Sequence, residues 1–330
     1  MSRLIHTLAA LAALGLTAGC ASAPGTDEAA AVASQKARAE AASDFWIDPA
    51  SSAATQMQMW QRDGRTKDAE LLGRIAEEPI ALWPAGETDP GPTVRAATAA
   101  ASGEGRTALF VAYDIPHRDC GQHSAGGAAD ADAYRAWIGK FADALGSGKA
   151  LVVLEPDAVS HIVDGCTPAE YHQERERLLG EAIVRLKQQP HTKVYLDAGN
   201  PSWIREPHKL VGPLKRAGVE RADGFALNVS NFQSDARTKA YGLDLSRALG
   251  GKHFVVDTSR NGNGPLEGAW CNPPGRALGT RPTTRTGEKS LDAYLWIKRP
   301  GESDGTCEGG PDAGQWWPEY ALELARNSKA

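Results

Sequence analysis

The sequence of 330 residues lacks the motifs that identify several common protein classes. Its five cysteines form no C-x-x-C pair and no Cys/His cluster with the spacing of metal ligands, so the spacing predicts no metal site. A phosphate-binding glycine loop is also missing. No run of Lys and Arg is interleaved with aromatic residues, and the formal net charge is −5, so we expect no nucleic-acid partner.

The first 19 residues have the composition of an export signal. Arg3 is followed by an apolar run over residues 8–16, which is too short for a permanent membrane-spanning helix. The small residues that lead into Cys20 resemble the lipobox of bacterial lipoproteins, which predicts lipidation of Cys20 and a flexible tether over residues 20–44. The predicted location is therefore the outer membrane or the cell surface. If an ordinary signal is cleaved and Cys20 is lost, the chain is secreted.

Lipidation of Cys20 would leave four cysteines: Cys120, Cys166, Cys271 and Cys307. Two disulfides fit an exported protein, because export leads to an oxidising compartment. Sequence alone allows three pairings. Pairing of neighbours in the chain, 120 with 166 and 271 with 307, closes the shortest loops.

Residues 45–330 form one block of the length of a single α/β barrel. Short apolar runs alternate there with amphipathic stretches, which predicts βα units in a barrel or a doubly wound sheet. Helices are predicted over residues 132–145, 168–188 and 235–249. The predicted strands cover residues 108–113, 150–154, 193–196, 224–229, 253–256 and 293–297.

Acidic residues follow most of these predicted strands, where chemistry collects in such folds. Several carboxylates at one edge suit glycosidic bond cleavage, since one can donate a proton while another activates water. The rival interpretation is hydrolysis with Mg²⁺ or Ca²⁺ held by Asp114, Asp119 and Asp157. The full set is Asp114, Asp119, Glu155, Asp157, Asp197, Asp257 and Asp304.

The nine tryptophans suggest a sugar-binding surface. Trp137 lies in a helix-like stretch and is expected in the core. Trp203, Trp270, Trp316 and Trp317 lie in Gly-, Pro- and Asn-rich segments, where a flat exposed indole suits stacking on sugar rings.

Long motifs in fixed order resemble glycoside hydrolase family 6, the endoglucanases and cellobiohydrolases. The resemblance covers nearly all of the chain after the tether. It implies a distorted (β/α) barrel with a central, mainly parallel barrel and outer helices. The motifs are VAYDIPHRDCGQHSAGG (111–127), LVVLEPDAVSH (151–161), YLDAG (195–199), LNVSNF (227–232), VVDTSRNGNGP (255–265), WCNPPGRALGT (270–280) and LWIKRPGESDG (295–305).

The resemblance implies four catalytic positions. Asp157 is the expected general acid, and Asp119 is expected to raise its pKa and assist a water-mediated proton path. Asp304 matches the aspartate often proposed as base, and Tyr113 the tyrosine beneath the reacting sugar. Simpler interpretations are a helix cap for Asp157, an ion pair of Asp119 with Arg118, a turn residue for Asp304 and a core tyrosine for Tyr113.

Other positions are implied to bind substrate, and some of them depart from the family pattern. Asn200 stands where the family has a histidine, and Ala125 where it has a water-positioning serine, with Ser124 as a substitute. For a distal-subsite tryptophan, Trp60 lies close, although Gln56 and Met57 fit the spacing better. Arg260 is expected either near the site or as a support for Asp257. The implied substrate-binding residues are Trp203, Trp270, Lys298, Glu302, Asn228 and Ser124.

Cleavage within the chain is favoured, because the long insertions that enclose substrate in processive family members are missing between these motifs. The resemblance implies inversion of configuration. It also implies no cofactor, a β-glucan substrate and a monomer. The alternative is a surface lipoprotein of different specificity, or one that binds polysaccharide without cutting it.

Overall fold

The structure, a computed structural model, describes residues 44–86, 88–121 and 123–329. The predicted signal, Cys20 and the tether up to residue 43 lie outside the described residues. The helices are α1 Ser52–Arg62, α2 Thr66–Ala76, α3 Gly91–Gly103, α4 Ala131–Leu145, α5 Ser160–Val163, α6 Ala169–Leu186, α7 His208–Arg216, α8 Asp235–Ala248 and α9 Pro318–Asn327. The strands are β1 Ala108–Ala112, β2 Ala150–Leu154, β3 Thr192–Asp197, β4 Gly224–Leu227, β5 His253–Asp257 and β6 Leu291–Leu295.

The six strands form one parallel sheet in the order in which they occur in the chain. Residues 80–82 lie between the two edge strands of the sheet, β1 and β6. Ile80 forms a β-bridge with Trp296 just after β6, and Leu82 forms one with Phe110 in β1. The Leu82 N–H donates to the Leu109 carbonyl at 3.0 Å, and the Val111 N–H donates to the Leu82 carbonyl at 2.8 Å. The sheet is therefore curled into a distorted barrel, which confirms the predicted fold.

Alternation along the strands divides the core into an inner and an outer part. Leu109 and Val111 face the barrel interior together with Val153, Tyr195 and other inward residues. Residues of the opposite strand face, such as Phe110, pack against the outer helices. The inward series of β1 continues to Tyr113, which packs against the interior cluster at the end of the strand.

Helix α4 shows how local sequence directs an outer helix onto the sheet. Asp130 caps its first turn, because a carboxylate oxygen accepts the Ala133 N–H at 2.8 Å. Trp137, Ile138 and Phe141 share one helix face and are buried. Trp137 is 6% exposed, which confirms its expected place in the core.

The two disulfides join Cys120 to Cys166 and Cys271 to Cys307, with Cα atoms 6.1 Å apart in each. The pairing that closes the shortest loops is therefore confirmed. None of the helices in the described ranges has the length and apolar character needed to cross a bilayer.

Candidate active site

A cleft of about 580 Å³ opens where the carboxyl ends of the strands meet. Its walls come from the loops that follow the strands, which is the usual place for the site of a parallel α/β barrel. Asp119, Asp157 and Asp304 all reach it. The cleft is lined by Trp83, Tyr113, Arg118, Asp119, His123, Ser124, Ala125, Pro156, Asp157, His161, Asp164, Asn200, Ser202, Trp203, Val229, Ser230, Asn231, Trp270, Lys298, Arg299, Glu302, Asp304, Ala313 and Gly314.

Tyr113 lies against two neighbouring side chains in this cleft. The Trp83 ring meets its ring edge-on, with centroids 5.7 Å apart, and the Arg118 guanidinium lies 4.8 Å from its ring centroid. Burial, and then the charge of Asp157, raise the pKa of Tyr113 well above its ordinary value. The phenol is therefore neutral and presents an apolar face with a hydroxyl group.

Asp157 is held in a strained backbone conformation directly after β2. Its φ is 70°, and Glu155 two residues earlier has a φ of 48°. Residues other than glycine rarely adopt this left-handed backbone conformation, and such strain concentrates at functional sites. The Asp157 N–H donates to Oδ1 of Asp197 at 2.9 Å, which fixes the turn to the end of β3.

The surroundings of Asp157 favour its protonated form. Burial raises its pKa well above the ordinary value, and the charges of Asp197 and then Asp119 raise it further. Burial raises the pKa of Asp197 as well, but the N–H groups of Asp157 and Gly199 donate to its Oδ1 and stabilise its charged form. Within this pair, Asp157 is the carboxyl suited to donate a proton.

Asp119 is fixed by the backbone of its own loop. Its φ is 55°, and its Oδ2 accepts the Ser124 N–H at 2.6 Å. Arg118 instead lies 3.8 Å from Asp114 and donates to the carbonyls of Tyr113 and Ser124. The structure therefore directs Arg118 to partners other than Asp119.

Asp304 has the opposite electrostatic environment. Arg260 donates to its Oδ2 at 2.9 Å, and the Lys298 ammonium lies 3.4 Å from its Oδ1. Burial acts to raise the pKa of Asp304, but the cations Arg260 and Lys298 outweigh it and hold that pKa below the ordinary value. Asn272 completes the anchor, because its N–H donates to Asp304 and its side-chain oxygen accepts the Asp304 N–H. Asp304 is therefore an ionised carboxylate rather than a simple turn residue.

Gly305 lets this loop pack tightly beside Asp304. Its φ is 153°, and a Cβ at this position would stand 2.5 Å from ring atoms of His123. The loop that carries Asp304 and the loop that carries Asp119 can meet here only because residue 305 has no side chain.

Five of the six predicted substrate-binding residues line the cleft: Trp203, Trp270, Lys298, Glu302 and Ser124. Trp270 is 50% exposed, and Trp203 is half-buried with its indole N–H donated to Asp164 at 2.8 Å. Burial lowers the pKa of Lys298, partly offset by Asp304. Glu302 pairs with Arg299 at 2.8 Å.

Ser124 and Asn228 are placed differently. Ser124 lines the cleft and holds Asp119 through its backbone N–H. Asn228 is fully buried, with its amide nitrogen donating to the Asp257 carbonyl at 2.8 Å, and it is not among the residues that line the cleft. Arg260 is fully buried as well and reaches the site through Asp304.

Trp83 and His161 line the cleft although the sequence indicated no role for either. Trp83 follows the segment 80–82 that joins both edges of the sheet, so its position depends on barrel closure. Trp60, which lies close to the position of a distal-subsite tryptophan, is 4% exposed and packs in a separate cluster with helices α1, α2 and α9. Trp316 and Trp317 pack against that cluster too.

Two carboxyl groups with opposite pKa shifts in one cleft suit acid–base hydrolysis of a glycosidic bond. The rival metal set is not brought together as expected. Asp114 is 2% exposed, lies beside Arg118 and does not line the cleft. Asp119 and Asp157, however, lie together with His161.

Comparison with known proteins agrees with this geometry. The sequence profile of glycosyl hydrolases family 6 matches residues 40–328. Endoglucanase A of Cellulomonas fimi is 44% identical over 290 residues, which cover 87% of this chain and 62% of that protein. Endoglucanase 1 of Streptomyces halstedii is 43% identical over 290 residues, with 85% and 88% coverage. This chain therefore spans less than two thirds of the first relative and most of the second.

A solved structure shows the same similarity in three dimensions. The endoglucanase Cel6 from Mycobacterium tuberculosis, in complex with methyl-cellobiosyl-4-deoxy-4-thio-β-D-cellobioside, superimposes with a TM-score of 0.79 at 42% identity. The alignment covers 86% of this chain and 96% of that one.

Proposed function

The chain belongs to glycosyl hydrolases family 6, and on that premise we propose that it is an inverting, endo-acting β-1,4-glucanase of the cellulase type. The observation that carries the proposal is the presence of Asp157, Asp119 and Asp304 in one cleft with indole rings along its walls. Relatives and a structural neighbour of the chain are named endoglucanases.

In the proposed reaction, Asp157 donates its proton to the leaving glycosidic oxygen. Burial and neighbouring carboxylates keep that proton bound until the bond breaks. Asp119 contributes to this effect and lines the same cleft.

Asp304 would accept the proton of the attacking water. Its carboxylate is kept ionised by Arg260 and Lys298, so it is a base rather than a second acid. A water between two carboxyl groups requires a separation of roughly 6.5–9.5 Å and gives inversion. Tyr113, neutral and rigid beside Trp83, supports the ring of the reacting sugar.

The form of the cleft walls supports an internal cut. Asp304 lies within the segment closed by the disulfide Cys271–Cys307, and Trp270 directly precedes that segment. Trp270 is half exposed at this wall, where a long glucan chain can settle laterally on the indole.

The test is release of reducing ends from carboxymethyl cellulose and mixed-linkage β-glucan. Wild-type protein should release them, and viscosity should fall early because cuts are internal. Asp157→Ala should remove nearly all activity, while Asp132→Ala, at a side chain 92% exposed on α4, should keep it. No release from either polymer by folded, oxidised protein would contradict the proposal.

We also propose export and lipidation at Cys20, in residues outside those that the structure describes. Expression with labelled fatty acid in a bacterial host should label the wild-type chain and not Cys20→Ala. Equal labelling of both, or labelling of neither, would contradict the lipid anchor.

A further inference from the structure

His161 is a cleft residue that the proposed hydrolysis does not use. It is 4% exposed, and neither ring nitrogen has a hydrogen-bond partner among the described residues. A buried polar group without a partner costs free energy, so such a group in a cleft indicates a ligand. Its ring also meets the Trp203 indole edge-on, with centroids 4.8 Å apart.

Two carboxylates stand close to this imidazole. One oxygen of Asp119, one oxygen of Asp157 and one ring nitrogen of His161 all lie within 4.8 Å of one another. Ligands of a tetrahedral zinc ion lie about 3.4 Å apart, as bond lengths near 2.1 Å require. Small side-chain rotations, which are easiest for the partly exposed Asp119, would bring the three atoms to that spacing.

The charges around His161 favour a cation. Asp119, Asp157 and Asp164 are its acidic neighbours. The buried cation Arg175 opposes this effect, but its two terminal nitrogens donate to Thr167 and to the carbonyl of His117, and the acidic neighbours outnumber it.

Asp164 supplies an outer partner for the imidazole. Its Oδ2 lies 3.7 Å from Nδ1 of His161 and accepts the Trp203 indole N–H at 2.8 Å. A carboxylate beside one nitrogen orients the ring and leaves the other nitrogen to bind a metal, as in many zinc sites.

We propose that His161, Asp119 and Asp157 bind one divalent first-row transition ion, such as Zn²⁺, within the cleft. One imidazole and two carboxylates form a three-ligand set with a position left for water. Mg²⁺ is disfavoured, since it prefers an octahedral set of oxygen ligands. Binding of the ion would release the proton of Asp157 to solvent and leave the proposed acid as a metal ligand, so Zn²⁺ would act as an inhibitor that competes with glucan. Asp157 and His161 lie four residues apart, but Asp119 belongs to a different loop, which is why spacing did not reveal the site.

Isothermal titration calorimetry of the full chain with Zn²⁺, without a polyhistidine tag, tests the proposal. Wild type should bind one ion at this site, and His161→Gln should weaken that binding at least about tenfold, since loss of an outer partner alone costs that much. His208→Gln, at a side chain 71% exposed, should bind as wild type does. Replacement of Zn²⁺ by Mg²⁺ should give no comparable heat.

A second variant keeps the test decisive if His161→Gln folds poorly. Asp157→Asn preserves the shape of the side chain and should also lose the site, and circular dichroism checks the fold of both variants. Unchanged Zn²⁺ binding in either folded variant, or no binding by wild type, would overturn the proposal. The titration contains no glucan, so its outcome is independent of whether the chain cleaves β-1,4-glucans.

Discussion

The chemistry of single residues in this cleft depends on which charges surround each carboxyl group. Asp157 is buried beside carboxylates, whereas Asp304 lies beside the cations Arg260 and Lys298. The same functional group therefore takes opposite protonation states within one site. Asp119 contributes to this difference, because its charge is one cause of the raised pKa of Asp157.

Asp119→Asn tests that contribution. A raised pKa keeps Asp157 protonated to higher pH, so activity should be lost as pH rises through that value. Removal of the Asp119 charge lowers the pKa of Asp157, and the alkaline limb of the kcat/KM profile should move to lower pH. The profile of Asp132→Asn should match wild type. An alkaline limb that stays in place, or moves to higher pH, would contradict this assignment.

Elements of the fold differ in how well the sequence predicted them. The six strands were predicted within two residues at each end, because continuous apolar runs bounded by polar residues mark buried parallel strands. Strand β4 ends at Leu227 rather than 229, since Asn228 adopts a φ of 67°. Helices α1, α2, α3, α5, α7 and α9 lie outside the three predicted helical ranges.

The candidate site was predicted where a contiguous motif carries it. Asp119, Asp157 and Asp304 lie in such motifs, and the structure brings all three to the cleft. Trp83 lies outside these motifs, and its placement depends on barrel closure. His161 lies within the motif 151–161 but was assigned no role, because its contact with Trp203 depends on packing between loops. The positive φ of Asp157 could not be inferred either, since strain of this kind is imposed by tertiary contacts.

The loop after β1 is predicted to depend on its disulfide. Cys120–Cys166 closes a separation of 46 residues, and loss of such a link destabilises by about 4 kcal/mol in the chain-entropy model. The double variant Cys120→Ser/Cys166→Ser should melt roughly 5–10 °C below wild type. Because Cys120 adjoins Asp119, kcat/KM should fall as well.

Thermal melts followed by circular dichroism measure this effect. The double variant Cys271→Ser/Cys307→Ser is the matched comparison, since its disulfide spans 36 residues and should cost a similar amount. A variant without Cys120–Cys166 that melts with wild type would show that the disulfide does not stabilise the loop.

For the whole molecule, the buried carboxyl of Glu155 links stability to pH. Burial raises its pKa to about 7, although the N–H groups of Asp114 and Ile115 donate to it and partly offset the shift. The folded chain therefore binds this proton more tightly than the unfolded chain, whose glutamate titrates at about 4.3. The resulting stabilisation is fully present below that unfolded value and is lost as pH rises through about 7.

The free energy of unfolding should thus contain a contribution of about 4 kcal/mol that disappears between pH about 4.3 and 7. Urea unfolding at a series of pH values measures it. Glu155→Gln cannot ionise and should flatten this part of the curve. If the free energy of unfolding of Glu155→Gln depended on pH in this window in the same way as that of wild type, the assignment to Glu155 would be contradicted.

The central claim is that Asp157 is the general acid, and a substrate that needs no acid tests it most directly. Dinitrophenyl β-cellotrioside releases an acidic phenol that departs without protonation, whereas β-glucan must be protonated at its leaving oxygen. Asp157→Ala should lower kcat/KM on mixed-linkage β-glucan by about 10²- to 10⁴-fold and on the dinitrophenyl substrate by less than about tenfold. Equal losses on both substrates, or no loss on β-glucan, would contradict the assignment of Asp157 as the acid.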